Sequence, residues 1–231
     1  MKLHGIFPPL TTPFDHNGDI WKIKVEHNVA RLNLTGVAGY AVIGSTGESK
    51  LLTTDEKVKL WEWVAQYAAP EKILIAGTGV ESVRETVALT NRAAEIGYKV
   101  ALVATPHYYK NLIASPDAQK LYYRAVADQT NIPVLIYNWP QMTGIDVPAE
   151  AVAELSQHPN IAGIKESSGN LAKVVQMLNE VKEIDERNCV AYGQNRRTRR
   201  RQHIERLEFG SVGVIAAGHA QIAKNELGAE R

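Results

Sequence analysis

Apolar runs rich in Val, Ile, Leu and Ala punctuate the chain. They are GIFPPLTT from Gly5, GYAVIG from Gly39, KILIAGTG from Lys72, KVALVAT from Lys99, IPVLIYN from Ile132, IAGIKES from Ile161, NCVAYG from Asn188 and SVGVIAA from Ser211. Several are apolar at successive positions, as strands of a parallel sheet covered on both faces should be. Their starts lie 23–34 residues apart, and a strand–helix–strand crossover takes roughly thirty residues or more. The segments between them predict helices. Thr53 with Glu56, and Ser82 with Glu85, have the spacing of a capping box. Pro148 stands just ahead of AEAVAEL, where a first-turn proline is tolerated. Val58, Leu60, Trp61, Val64, Ala65 and Ala68 recur at helical spacing.

Eight strands alternating with helices predict one α/β domain over residues 1–231, a closed (β/α)8 TIM barrel, for which ~250 residues is typical. An open doubly wound sheet is the competing arrangement. GTGVES hints at a nucleotide loop, but Ser82 stands where the third glycine of that loop belongs. No phosphate-binding G-x-x-x-x-G-K-[ST] occurs either. Polar residues favour the barrel: Gly44-Ser45-Thr46, Thr78, Thr105, Tyr137-Asn138 and Lys165-Glu166-Ser167 all fall at C-terminal strand ends, where barrels place their chemistry.

Composition narrows the class. The chain is 45% apolar and 22% charged with a formal net charge of +1, so a sizeable core is available and no global pull toward nucleic acid or membrane is expected. Cys189 is the single cysteine, which excludes a disulfide framework, fits a reducing cytoplasm and reads as a small buried hydrophobe. The seven histidines lack paired metal-ligand spacing, so neither metal nor cofactor is expected. Five arginines between Arg196 and Arg201 read as a solvated charged face rather than a polyanion contact.

IAGIKESS carries the chemistry. Strand alternation puts Ile161, Gly163, Lys165 and Ser167 on one face and Ala162, Ile164 and Glu166 on the other. A lysine in such a strand either snorkels out, pairs with a carboxylate, or is a buried amine whose pKa falls below its usual ~10.4 and attacks carbonyls. Tyr137, ending the preceding run, is either a core tyrosine or a proton carrier beside Lys165. GSTGES is either a capped strand-to-helix turn or a backbone cradle for a carboxylate. Trp139 either shapes the pocket mouth or packs, and His107 lies near enough to touch a substrate. Trp61 and Trp63 cannot share a helix face, so one belongs to the core.

GSTGES, TPHYYK, YNWPQMTG and GIKESSGN, in that order, resemble the dihydrodipicolinate synthase / N-acetylneuraminate lyase family of class I aldolases and lyases. The likeness runs from about Gly5 to about Val181. It implies a barrel assembled as a dimer or tetramer, acting without a cofactor on pyruvate or another 2-oxo acid and an aldehyde. It also implies roles: Lys165 as the Schiff-base lysine, Tyr137 and Ser45 in the proton relay, and Tyr108 lent to a neighbouring subunit's site. Thr46, Gly47, Ser167, Gly193 and Ile215 would bind substrate. In dihydrodipicolinate synthases the proline segment usually reads like YNVPSRTG, and Met142 stands here at the arginine position. A thioether cannot pair with a carboxylate. The expected activity is therefore a 2-oxo-acid aldolase, of the 4-hydroxy-2-oxoglutarate or 2-keto-3-deoxy sugar acid type. The alternative is 4-hydroxy-tetrahydrodipicolinate synthase, condensing pyruvate with aspartate semialdehyde. By the same resemblance the chain after the eighth strand is shorter than the family pattern, which implies a barrel without its last helical extension, and an inactive truncated homologue as the reading of another class.

Overall fold

The computed structural model describes residues 3–181 and the backbone of residues 189–192. Six parallel strands form one sheet in sequential order: β1 (Gly39–Val42), β2 (Ile73–Gly77), β3 (Val100–Ala104), β4 (Val134–Asn138), β5 (Ile161–Glu166) and β6 (Cys189–Tyr192). Between them run α1 (Lys22–Asn33), ahead of β1, then α2 (Thr54–Tyr67), α3 (Val83–Ile96), the one-turn α4 (Lys110–Ile113), α5 (Pro116–Ala127), the one-turn α6 (Pro140–Thr143), α7 (Ala149–Leu155) and α8 (Leu171–Glu180). Strictly neighbouring parallel strands joined by helices are the wall of a (β/α)8 barrel. The second to seventh candidate runs are thus β1–β6.

The first run differs from expectation. It lies parallel to β1 and is held by Leu10 N–H to Ala41 O at 2.9 Å, Ala41 N–H to Pro8 O at 3.1 Å and Ala38 N–H to Ile6 O at 2.9 Å. Its pairing with β1 stays at one isolated bridge, Pro9 to Ala41, because Pro8 and Pro9 have no N–H to continue a ladder. The eighth run and the arginine-rich segment lie outside the described residues.

Two apolar layers follow from strand alternation. Tyr40, Val42, Val103, Val134, Ile136, Ile161 and Ile164 pack under the helices with Trp61 and Val64 of α2. Ala41, Ile75, Leu102, Leu135 and Tyr137 face the other way, onto Leu3 and Phe7. Ile161 is a correction to the expected pattern, since it belongs with the helix-facing set and not with Lys165. The reason is a bulge. Val134 pairs with Ile161 but Leu135 pairs with Gly163, so Ala162 is an extra residue, and Gly163 takes φ +139°, open to glycine.

Local signals set the helix ends. Thr53 caps α2 through its hydroxyl while Glu56 reaches back to the Thr53 N–H at 2.7 Å, a complete capping box. At α3 only one arm forms, with Glu85 N–H donating to Ser82 Oγ at 3.1 Å. Pro148 is the residue flanking α7 rather than its first helical position. Trp61 is fully buried, accepting from Tyr98 OH at its carbonyl at 3.2 Å, and Trp63 lies partly buried beside the core.

Candidate active site

The strand ends converge on a cleft of about 290 Å³ lined by Ser45, Thr78, His107, Tyr137, Trp139 and Met142, among others. Its floor is set by tight backbone approaches. A Cβ on Gly77 would stand 2.0 Å from the carbonyl oxygen of Ile43, so only glycine lets β2 pass so close to the turn after β1. In that turn Ile43 has φ +60° and Glu48 φ +57°, left-handed backbone that a β-branched residue adopts only under constraint. Between them Ser45–Gly47 form a single 3₁₀ turn, pinned by Thr12 Oγ1 donating to Gly47 O at 2.7 Å.

Lys165 is the last residue but one of β5, with 4% exposure. Its Nζ lies 4.1 Å from the centroid of the Tyr137 ring, because Lys165 and Tyr137 are direct partners in the β4–β5 register. Burial strips water from the ammonium form and brings its pKa down to about 8. Tyr137 is pushed the other way: burial raises the phenol, and the hydroxyls of Ser45 and Ser167 partly offset this. Its oxygen is 3.3 Å from Ser45 Oγ, which opens to the cleft. Trp139 stacks on Tyr137 with centroids 6.2 Å apart at 28°, and it also lines the cleft.

Lys165, Tyr137, Ser45 and Ser167 are therefore brought together, with Tyr137 and Ser45 on the cleft lining and Lys165 and Ser167 buried against Tyr137. Thr46 and Gly47 sit in the same 3₁₀ turn, with Gly47 buried beneath it. Tyr108 is not drawn in. It is 76% exposed, packs edge-on against Tyr109 with centroids 4.9 Å apart, and lies outside the cleft lining. Gly193, Ile215 and the side chain of Cys189 fall outside the described residues.

Three features escaped the sequence reading. Glu81 accepts from the backbone N–H of His107 and Tyr108 at 3.1 Å and pairs with His107 Nδ1 at 3.3 Å; 26 residues separate Glu81 from His107, so no local pattern announces the pair. Lys50 and Lys57 line the cleft mouth, both with pKa lowered, chiefly by burial. Behind β4 and β5, the buried Asn138, Glu166 and Lys173 form a polar network with Asp146, whose side chain is half-exposed. The amphipathic pattern of α8, which turns Lys173 inward at 8% exposure, was the available signal. Among the described residues, no group of three or more His, Cys, Asp or Glu could hold a metal ion, and no helix is long and apolar enough to cross a membrane.

A family model described as the dihydrodipicolinate synthetase family matches residues 2–226. A 4-hydroxy-tetrahydrodipicolinate synthase from Natronomonas pharaonis is 36% identical over 179 residues, covering 78% of this chain and 60% of that protein. One of the same name from Xanthomonas axonopodis pv. citri is 40% identical over 182 residues, covering 77% of this chain and 58% of that one. The crystal structure of dihydrodipicolinate synthase DapA-2 from Bacillus anthracis superposes with a TM-score of 0.77 at 30% identity, covering 84% of this chain and 64% of that one. The chain thus spans about 60% of the length of the curated relatives it matches.

Proposed function

Because the chain belongs to the dihydrodipicolinate synthetase family, we propose that it is a lyase or synthase that holds pyruvate, or another 2-oxo acid, as an imine on Lys165. The observation that carries this reading is the buried amine with a pKa of about 8, packed on the ring of a phenol that is itself bonded to Ser45. A lysine at its usual ~10.4 is almost entirely protonated at neutral pH and cannot attack; at about 8 a useful fraction is free.

The neutral Nζ adds to C2 of the 2-oxo acid, forming the C–N bond as the carbonyl pair moves to oxygen. Tyr137 protonates that oxygen and recovers its proton through Ser45 from the cleft. Water leaves, giving the protonated imine. A proton passes from C3 into the Tyr137–Ser45 relay, its electron pair stays between C2 and C3 and neutralises the iminium, and the resulting enamine adds to the aldehyde carbon as the carbonyl pair moves to the aldehyde oxygen, which the relay protonates. Water then hydrolyses the imine and frees Lys165. The same steps reversed cleave an aldol product. The turn at Ser45–Gly47, with Ser167, is the place for the substrate carboxylate.

For the aldehyde partner, the relatives' names reverse the order read from the sequence. They favour 4-hydroxy-tetrahydrodipicolinate synthase, with aspartate semialdehyde as partner. The 2-oxo-acid aldolase remains the second reading on one observation: Met142, which stands where the resemblance expects an arginine, lines the cleft at 66% exposure and offers no cation there. Tyr108, exposed on the chain, fits a role in a neighbouring subunit's site, and so a homo-oligomer.

Borohydride reduction with pyruvate followed by mass mapping tests the imine: an adduct at Lys165 is expected, and a folded protein that gives none overturns the reading. Turnover of pyruvate with aspartate semialdehyde, set against cleavage of 4-hydroxy-2-oxoglutarate, decides the partner.

A further inference from the structure

The residues following the two reactive ones pair just as they do. Tyr137 is registered with Lys165, and Asn138 with Glu166. Asn138 and Glu166 point away from the cleft, toward the helices, and there Asn138 Nδ2 donates to Glu166 Oε2 at 2.8 Å and to Asp146 Oδ1 at 2.8 Å. Asn138 Oδ1 accepts from Val147 N–H at 3.1 Å, and Asn138 O accepts from Ser167 N–H at 2.9 Å. Glu166, with 0% exposure, accepts from Ser168 N–H at 2.6 Å and stands 3.4 Å from Lys173 Nζ, which also pairs with Asp146. The network joins β4, β5, the loop before α7, and α8.

A carboxylate held wholly out of water demands compensation, and here the compensation comes from one cation and two donors that belong to different elements. Apolar packing alone would hold these strands together, so the charges do something besides adhere. We propose that the Asn138–Glu166–Lys173–Asp146 network is a positioning device, fixing the ends of β4 and β5 so that the Tyr137 phenol and the Lys165 amine keep their mutual placement. Asn138, Glu166 and Lys173 are positioning residues that do not touch substrate. The inference rests on the imine reading for its kinetic consequence but not for its geometric one.

Its test has two arms on the full chain. In the first, competitive labelling with acetic anhydride as a function of pH, read by mass mapping, reports when Lys165 loses its proton, without any substrate. The groups set near this amine are the Tyr137 ring from β4 and, through that phenol, Ser45 and Ser167; Glu166, Asp146 and Lys173 lie behind the strands. The wild-type midpoint is expected at about 8. In Glu166→Gln, and in the double variant Glu166→Gln/Lys173→Met, which leaves Lys173's charge nowhere unpaired, the loosened strand ends admit water and the midpoint moves at least one unit toward ~10.4. Lys173→Arg keeps the ion pair and stays near the wild type. In the second arm, the rate of borohydride trapping at saturating pyruvate falls roughly ten- to hundred-fold in the same variants, as small misplacements do, while half-saturating pyruvate moves less than about three-fold. Variants that melt cooperatively yet keep both the midpoint and the rate overturn the proposal. A wild type that fails to trap pyruvate defeats the imine reading instead, and the labelling arm still decides this one. Should Glu166→Gln not fold, the double variant and Lys173→Arg carry the comparison.

Discussion

The amine of Lys165 owes its character to exclusion of water and not to a neighbouring charge, for desolvation is the cause of its lowered pKa. The proton that must leave is lost as pH rises through about 8. Imine trapping with pyruvate should therefore climb ten-fold per unit below that pH and level off above it, whereas an exposed lysine would keep climbing toward ~10.4. A rate still rising steeply at pH 9.5 would show that the amine is hydrated. Tyr137 moves in the opposite sense, so it stays protonated and able to donate across the same range. Tyr137→Phe keeps the ring against Lys165 and removes the proton; turnover should drop about 10²- to 10⁴-fold, the usual worth of a positioned acid or base, with little change in thermal stability. The placement of this amine beside the phenol was legible in IAGIKES and IPVLIYN, because neighbouring parallel strands set Tyr137 opposite Lys165. The Glu81–His107 pair was not legible, since its members meet only after β2 and β3 lie side by side.

At the scale of elements, the helix starts were the most readable signals. Thr53 and Glu56 satisfy two orphan donors of α2 reciprocally, and Thr53→Ala should cost about 1 kcal/mol in denaturant unfolding, within the range of ~0.5–2 measured for such caps; no loss would mean that the end of α2 is held by tertiary contacts alone. The second capping signal was half right: Ser82 accepts from Glu85 N–H, but Glu85 does not return the bond. Strand alternation was less reliable than the helix signals. It placed Lys165, Glu166 and Ile164 properly and misplaced Ile161, because no residue type marks a bulge unambiguously and Gly163 was the only hint.

For the molecule as a whole, the order of the apolar runs was enough to foretell a parallel β/α wall, and it left the N-terminal segment as the point of difference. That segment is bonded to the β1 region at Ile6, Pro8 and Leu10 and supplies Leu3 and Phe7, at 1% and 0% exposure, to the interior layer beside Ile75, Leu102 and Leu135. Phe7→Ala should destabilise by about 3–5 kcal/mol, the cost of emptying a filled aromatic site, a large share of a typical domain's ~5–15 kcal/mol. A change below about 1 kcal/mol in chemical denaturation would show that Phe7 does not fill that layer.

The extra residue in β5 has a corollary. Counting forward from Ile161 in strict twos, with Ile161 anchored on the helix side, would aim the Lys165 amine at the helices and turn the Glu166 carboxylate to the side of Tyr137. Ala162 supplies the odd step that exchanges them. A strand of the same length without the bulge would therefore trade an electrophile-seeking nitrogen for an acid without altering either residue, so the bend that Gly163 permits at φ +139° is as much a determinant of chemistry as the lysine that follows it.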